Sequence, residues 1–395
     1  MISFSGLLGD ITSYGDKLRY RRDPDPLKRH PIAVWNCSRR CNLSCVHCYS
    51  DSRDTSYAGE LTTEEGKAMI RDLKEFNVPV LLFSGGEPLM REDLFELNTY
   101  ARKLGLRTVI STNGTLITPA MARRIKDDGF EYIGISLDGM GKNNDRFRGK
   151  IGAFDDALAG IRNLVSVGQK VGLRFTITGH NYKDIPHLFK VVENEGVNRI
   201  CFYHLAYAGR GTQQESNDLP HAQTRQVIGE IYDWVVSLSK RGINKEVLTV
   251  DNHADAAYLY LRMKQDDPAK AAQAFSLLEA NGGNASGVGI SNIDNLGNVH
   301  PDQFWQSVTF GNVRERKFGD IWTDTSHALM GKLKDRRPFL KGRCPQCKFI
   351  NMCNGNLRLR AAVARGDVWA DDPACYLTDK EVFETEVPVS GGCAR

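Results

Sequence analysis

A run of apolar and β-branched residues followed by a helical pattern recurs six times between residues 32 and 205, and this repetition narrows the possible folds more than any other feature of the chain. Alternating strands and helices build βα units around a parallel sheet. Strands are expected at 32–35, 80–83, 107–111, 132–137, 173–178 and 199–204. They are mostly unbroken apolar runs, as when helices cover one face and a core fills the other. Thr62 and Glu65 form a capping-box pattern ahead of the apolar stripe Met69, Ile70 and Leu73, and 157–165 and 185–192 read as similar helices.

Six units instead of eight predict a partial (β/α)6 barrel of the TIM type, in which ligands gather at the carboxyl ends of the strands. Asn36 to Ser50, Ser84 to Pro88, Thr112 to Gly114 and Asp138 to Gly139 follow the first four strands at that end. Beyond residue 205 come helical stretches, 222–241 and 254–278, then a hairpin over 287–305 around Leu296-Gly297-Asn298, then a Cys-rich tail from Cys344. The expected division is a basic arm, 1–30; the barrel, 31–210; a helical linker or insertion, 211–285; and a Cys-rich extension, 286–395.

Of 395 residues, 41% are hydrophobic and 25% charged with both signs mixed, which excludes wholesale disorder. No apolar run reaches membrane-spanning length, and Met1 to Ser13 has neither a basic leader nor a cleavable apolar core, so a cytoplasmic protein without a membrane partner is expected. In that compartment ten cysteines point to metal or redox chemistry in place of disulfides. The net charge of +4 is too small for a nucleic-acid domain, and it resides in the arm, where Lys17, Arg19, Arg21, Arg22, Lys28 and Arg29 face only Asp23 and Asp25. An acidic small molecule could dock there; a solvated basic arm is the plainer reading.

Cys41, Cys45 and Cys48 are spaced CxxxCxxC in the loop after the first strand. Three thiolates can hold three irons of a cubane cluster and leave the fourth iron open to a small molecule. The alternative is a closed zinc knot with Cys37 or His47 as fourth ligand. One strand later, Ser84-Gly85-Gly86-Glu87-Pro88 sets two residues without side chains beside a carboxylate, which suits close backbone approach to a ligand bearing an ammonium group.

With these two motifs, and with STNGT from Ser111 and ISLDG ending at Gly139 at the next strand ends, the sequence resembles the radical S-adenosylmethionine (SAM) superfamily over nearly its whole length. The resemblance implies that Cys41, Cys45 and Cys48 bind a [4Fe-4S] cluster whose open iron is chelated by SAM. It implies that the loop Ser84, Gly85, Gly86 and Glu87 holds the SAM ammonium, that Ser136 and Arg148 contact its amino-acid end, that Ser111 and Asn113 lie toward the ribose, and that Tyr49 lies near adenine. The chemistry implied is reductive cleavage of SAM to a 5′-deoxyadenosyl radical that takes hydrogen from a target, with an electron-donor protein as partner. Read alone, Ser136 is a hydroxyl bonded to backbone and Arg148 a surface ion pair.

Cys344, Cys347, Cys353 and Cys375 form a second group: CxxC, five residues, C, then twenty-one residues and C. Four thiolates close a site, so the group suits a fully ligated cluster or a structural zinc ion. This tail resembles the SPASM extension of radical SAM maturases, or its one-cluster form, twitch. Where the two-cluster form has further cysteines, Asp302 follows the hairpin and Leu357 follows Cys353. One auxiliary [4Fe-4S] cluster is therefore expected, not two. Cys201 reads as a small core residue, and Cys393 as a flexible donor to the active site or, more plainly, as part of a disordered end.

Within the superfamily, the run CNLSCVHCYSDS, the stretch from Tyr207 to Gly211 and the single-cluster tail resemble the tetrapyrrole-modifying branch, in particular the haem d1 enzymes. That implies a carboxylate-bearing modified haem, a decarboxylated sirohaem, as substrate, with hydrogen abstraction on its propionate side chains and their removal. Arg19, Arg21, Arg22 and Arg29 could pair with its carboxylates, and Tyr203, His204 and Tyr207 stand where the sixth strand would open onto it; His204 reads as an iron ligand or, more plainly, as a histidine bonded at the strand end. The alternatives are a sirohaem-branch haem synthesis decarboxylase, a peptide-modifying maturase, and a zinc-binding interaction module without catalysis.

Overall fold

The computed structural model describes residues 1–9, 14–20 and 29–384. Arg21, Arg22 and Lys28 of the basic arm, and Cys393, lie outside them. The strands are β1 (Ile2–Ser3), β2 (Ile32–Ser38), β3 (Val80–Gly85), β4 (Arg107–Thr112), β5 (Tyr132–Ser136), β6 (Val171–Thr176), β7 (Arg199–Tyr203), β8 (Glu246–Val250), β9 (Ile290–Ile293), β10 (Asn298–His300) and β11 (Gly311–Asn312). They form one sheet in the order β1-β8-β7-β6-β5-β4-β3-β2-β9-β10-β11. From β8 through β2 to β9 every pairing is parallel, while β1, β10 and β11 add antiparallel edges. The two edge strands do not pair, so the barrel stays open.

All six expected strands form. The stretch read as purely helical also supplies β8, which lies parallel beside β7. The helix expected over 254–278 is two, Ala254–Asp266 and Pro268–Asn281. Pro268 has no N–H to continue the first helix, and Asp267 caps the second by accepting from the Lys270 N–H. The hairpin is present as β9 and β10, and β9 also joins β2 in parallel, which fuses the sheet of the extension to that of the barrel.

Alternation along the strands decides what lies inside. Trp35, Leu81, Phe83, Ile110, Ile133, Leu173, Phe175, Ile200 and Phe202 point outward into the main core, against apolar residues of the helices Thr63–Glu75, Leu94–Lys103, Pro119–Asp127, Ala153–Ser166 and Ile185–Asn194. The Thr62–Glu65 capping box is formed. The residues between them, including Val34, Leu82, Arg107, Val109, Tyr132, Arg174, Arg199 and Tyr203, line a chamber of about 400 Å³ inside the barrel. A lumen lined by arginines and tyrosines is hollow, unlike the packed interior of a complete eight-stranded barrel.

The extension is pinned to the strand ends by Arg360. Its fully buried guanidinium donates from Nε and Nη2 to the buried Asp372 carboxylate (2.8 and 3.0 Å), from Nη1 to the Leu205 carbonyl (2.8 Å) and from Nη2 to the Asp251 carbonyl (2.8 Å). Replacing Arg360 by Met leaves Asp372 buried without a cation. The expected loss is about 3–5 kcal/mol of unfolding free energy in anaerobic guanidinium titrations.

Candidate active site

A cavity at the carboxyl ends of the strands is lined by Cys41, Cys45, Cys48, Tyr49, Ser84, Gly85, Gly86, Ser111, Asn113, Ser136 and Arg148. The cysteine loop that follows β2 is held from outside by Arg210, whose Nε donates to the Cys45 carbonyl (2.8 Å) and whose Nη atoms donate to the Ser52 carbonyl (3.1 Å). Gly209 (φ +52°) lets that segment approach, since a β-carbon there would lie 2.5 Å from the Cys48 carbonyl oxygen. The Gly85-Gly86 pair does the same from β3. A β-carbon on Gly86 would lie 2.2 Å from the Arg40 carbonyl oxygen, and one on Gly85 2.2 Å from that of Ser38. The backbones interlock through Gly86 N–H to Ser38 O and Glu87 N–H to Arg40 O, both 2.8 Å.

Glu87 is fully buried behind the cavity wall. Its carboxylate accepts from the Thr112 hydroxyl (2.7 Å), the Asn113 N–H (2.8 Å) and the Leu89 N–H (3.1 Å), and so ties the loop after β3 to the loop after β4. Burial pushes its carboxyl upward against these donors. What this loop presents to the cavity is backbone. Arg148 is paired inside the protein with Asp138, whose other oxygen accepts from the Thr176 N–H (2.6 Å).

Two donors point at the thiols: Asn113 Nδ2 lies 3.9 Å from Cys41 Sγ and Arg148 Nη1 3.7 Å from Cys45 Sγ. Burial pushes the Cys41 thiol up to about 12 and also raises Cys45, so a metal must displace their protons on binding. The other candidates for a closed zinc knot are engaged elsewhere. Cys37 is buried and its thiol donates to the Ser84 carbonyl (3.4 Å), and His47 Nε2 faces Asp138 (3.3 Å). Three thiols, donors aimed at their sulfurs and an open side fit a cluster with one vacant corner.

Cys344, Cys347 and Cys375 stand near enough to Cys353 for a charge on any of them to push its thiol up further than burial alone does. Arg343 donates to Cys375 Sγ (3.0 Å), and the Arg358 charge favours the Cys344 thiolate. Cys201 is buried against Leu248 and Val250. His204 is held by Asp255 (2.9 Å), which also accepts from the Tyr376 hydroxyl (2.7 Å), and the Tyr207 hydroxyl donates to Asp218 (2.9 Å).

The sequence reading missed Arg174, Asp251, Gln303 and Phe304, all in the cavity wall. The Phe304 ring packs edge-on against Tyr49, centroids 5.3 Å apart. A lone arginine inside the apolar run of β6 and an aspartate closing the unrecognised β8 were the available signals. Asp251 has a left-handed backbone (φ +68°), uncommon outside glycine and found at sites held by their surroundings.

An open parallel barrel with three thiols at its mouth and a glycine loop beside them defines the class, and the chain belongs to the radical SAM superfamily, whose family model matches residues 35–192. Its cofactors are a [4Fe-4S] cluster and SAM. Within the superfamily it stands among the enzymes of haem biosynthesis. It is 51% identical over 394 residues to the Fe-coproporphyrin III synthase of Methanosarcina barkeri, covering 97% of this chain and 99% of that one. It is 44% identical over 376 residues to the pre-heme d1 synthase of Dinoroseobacter shibae, covering 94% and 93%. Streptococcus suis SuiB bound to S-adenosylmethionine shares the fold, with a TM-score of 0.71 at 19% identity, covering 89% of this chain and 78% of that one. No helix among the described residues is long and apolar enough to cross a membrane.

Exchanging Glu87 for Gln turns one acceptor into a donor facing the Thr112 hydroxyl or the Asn113 N–H. SAM cleavage, followed as methionine release, is expected to fall by about tenfold or more. Burial also pushes the Asp251 carboxyl up to about 7, so between pH ~4 and ~7 the native state holds a proton that the unfolded chain has lost. Its contribution to stability therefore declines as pH rises through that window. Asp251→Asn removes the decline, and its gain over the wild type in anaerobic guanidinium unfolding should grow from pH 5 to 7.5 and then level off.

Proposed function

We propose that this chain removes an acid side chain from a decarboxylated sirohaem by SAM-dependent hydrogen abstraction. One observation carries the reading: the thiol cavity and the barrel chamber share Arg174, Tyr203, Asp251, Gln303 and Phe304 in their walls, so a bulky guest in the chamber abuts the site of SAM. Asp302 and Leu357, where the two-cluster extension has cysteines, both line that chamber. Space given elsewhere to a second auxiliary cluster here belongs to the substrate. The similarity to two haem-pathway enzymes over nearly the full chain supports the same class of guest.

Bound at the mouth, the cluster and SAM supply one-electron chemistry that ends in abstraction of hydrogen from carbon. The residues around them orient and exclude. The Gly85-Gly86 backbone receives the ammonium, with Glu87 positioning it through its hold on both loops. Arg148 and Ser136 face the amino-acid end, Ser111 and Asn113 the ribose, and Tyr49, set by its bond to Asn36 (3.1 Å) and by Phe304, the adenine. The four cysteines of the extension hold one auxiliary cluster that passes electrons, drawn from a donor protein.

The identity of the lost side chain is read from the relatives. Removal of propionates leads toward haem d1, as the sequence motifs suggested. Fe-coproporphyrin III keeps its propionates, so its formation requires loss of other acid side chains, and the higher identity to the synthase of that product favours this outcome. Anaerobic incubation with decarboxylated sirohaem, SAM and dithionite, followed by mass spectrometry, distinguishes the two by the mass of the fragment lost. An unchanged tetrapyrrole beside continued SAM cleavage would overturn the substrate. The clusters are checked separately: about eight irons per chain from two cubanes are expected, falling by about half in a Cys41→Ala, Cys45→Ala, Cys48→Ala variant.

A further inference from the structure

Two glycines, Gly134 on β5 and Gly172 on β6, are cross-strand partners on the inward face of the barrel. The space their side chains would fill is taken by neighbours. A β-carbon on Gly134 would lie 2.4 Å from Arg174 Nε, and one on Gly172 2.2 Å from the Tyr132 hydroxyl. Glycine inside a strand weakens it, so its use at two paired positions marks a place where another group must come close. Both groups it admits are unsatisfied: Arg174 Nε and the Tyr132 hydroxyl are buried polar atoms without a hydrogen-bond partner.

The other basic side chains of the thiol cavity each face a carboxylate: Arg148 and His47 face Asp138, and His204 faces Asp255. Among the described residues Arg174 pairs with no carboxylate, and its guanidinium carbon stands 6.0 Å from the centroid of the Tyr203 ring. Asp251, the carboxylate that also borders both cavities, makes no ion pair with it. Arg174 is half-buried, and its guanidinium borders both cavities while its Nε is withdrawn from water without an acceptor, a costly arrangement unless a ligand completes it. Arg174 is also the strand partner of Ser136, which places it at the junction of SAM pocket and chamber.

We propose that Arg174, with the Tyr132 hydroxyl beside it, is the anion site of the barrel chamber and receives a side-chain carboxylate of the substrate, which places that side chain at the mouth where hydrogen is taken. This rests on the tetrapyrrole reading above and adds the residues that fix the substrate's orientation. A guanidinium fork and a phenol together suit the two oxygens of a carboxylate.

The test is an anaerobic titration of the reconstituted full chain with decarboxylated sirohaem as free acid and as its methyl ester, followed by the Soret band. In Arg174→Gln the preference for acid over ester should fall by about 10- to 100-fold while ester affinity stays within about twofold. Tyr132→Phe, which deletes an unpartnered hydroxyl and keeps the ring, should lower the same preference several-fold. A merely structural role would weaken acid and ester alike and overturns the assignment, as does a preference that survives in Arg174→Gln. If the wild type binds neither form, the tetrapyrrole reading falls first and the assignment with it.

Discussion

Each barrel strand meets two environments at once, and the rest of the structure depends on how its residues divide between them. Outward side chains are apolar and pack on helices, as in Trp35, Phe83, Ile133, Phe175 and Phe202. That face carries most of the barrel's apolar packing, which leaves the inward face room for Arg107, Tyr132, Arg174, Arg199 and Tyr203. A complete barrel spends its interior on packing layers. Here the sheet is open at β1 and β11, the interior is a chamber, and stability comes from the outer layer and the extension.

The chamber and the cavity above it are shaped by buried carboxylates. Glu87, Asp138 and Asp372 are each withdrawn from water, and each accepts from donors on different segments of the chain. A buried carboxylate without such donors is too costly to keep, so each one fixes the loops that satisfy it. Glu87 joins the loops after β3 and β4, Asp138 joins the strand ends of β5 and β6 and carries Arg148, and Asp372 binds the extension to the barrel through Arg360. The cysteine loop is thus framed before any metal arrives, while its buried thiols stay protonated until one does.

What the sequence disclosed follows the same division. The six βα units were legible because outward apolar residues recur on each strand, and the cysteine and glycine motifs because their spacing is tied to the chemistry of their ligands. Strand β8 was hidden: Glu246–Val250 is five residues long and lies between helices, so its local pattern competes poorly with theirs. The parallel pairing of β9 with β2 links residues some 260 apart, and no local signal encodes it. Glu87 reads in one dimension as a ligand for an ammonium; only in three dimensions do Thr112 and Asn113 take up its oxygens. Pro268 should have divided the long helix, since its missing N–H is visible in the sequence.

On the function proposed above, the extension is where one family architecture makes room for a larger guest. Gly283, Asn284, Ser286, Asp302 and Leu357 all border the chamber, and the fully buried Arg336 donates to the Asn284 side chain (2.7 Å) and the Ser286 carbonyl, with Ser286 bonded in turn to Asp302. Where a cluster would impose a rigid anionic centre, a hydrogen-bonded network closes the wall. At the retained cysteines, Arg343 and Arg358 stand near the thiols, where they would offset the negative charge of the auxiliary cluster proposed there. The change at Asp302 and Leu357 therefore does two things at once. On the function proposed above, it gives that stretch of wall to the substrate, and it would leave the electron path with one auxiliary station instead of two.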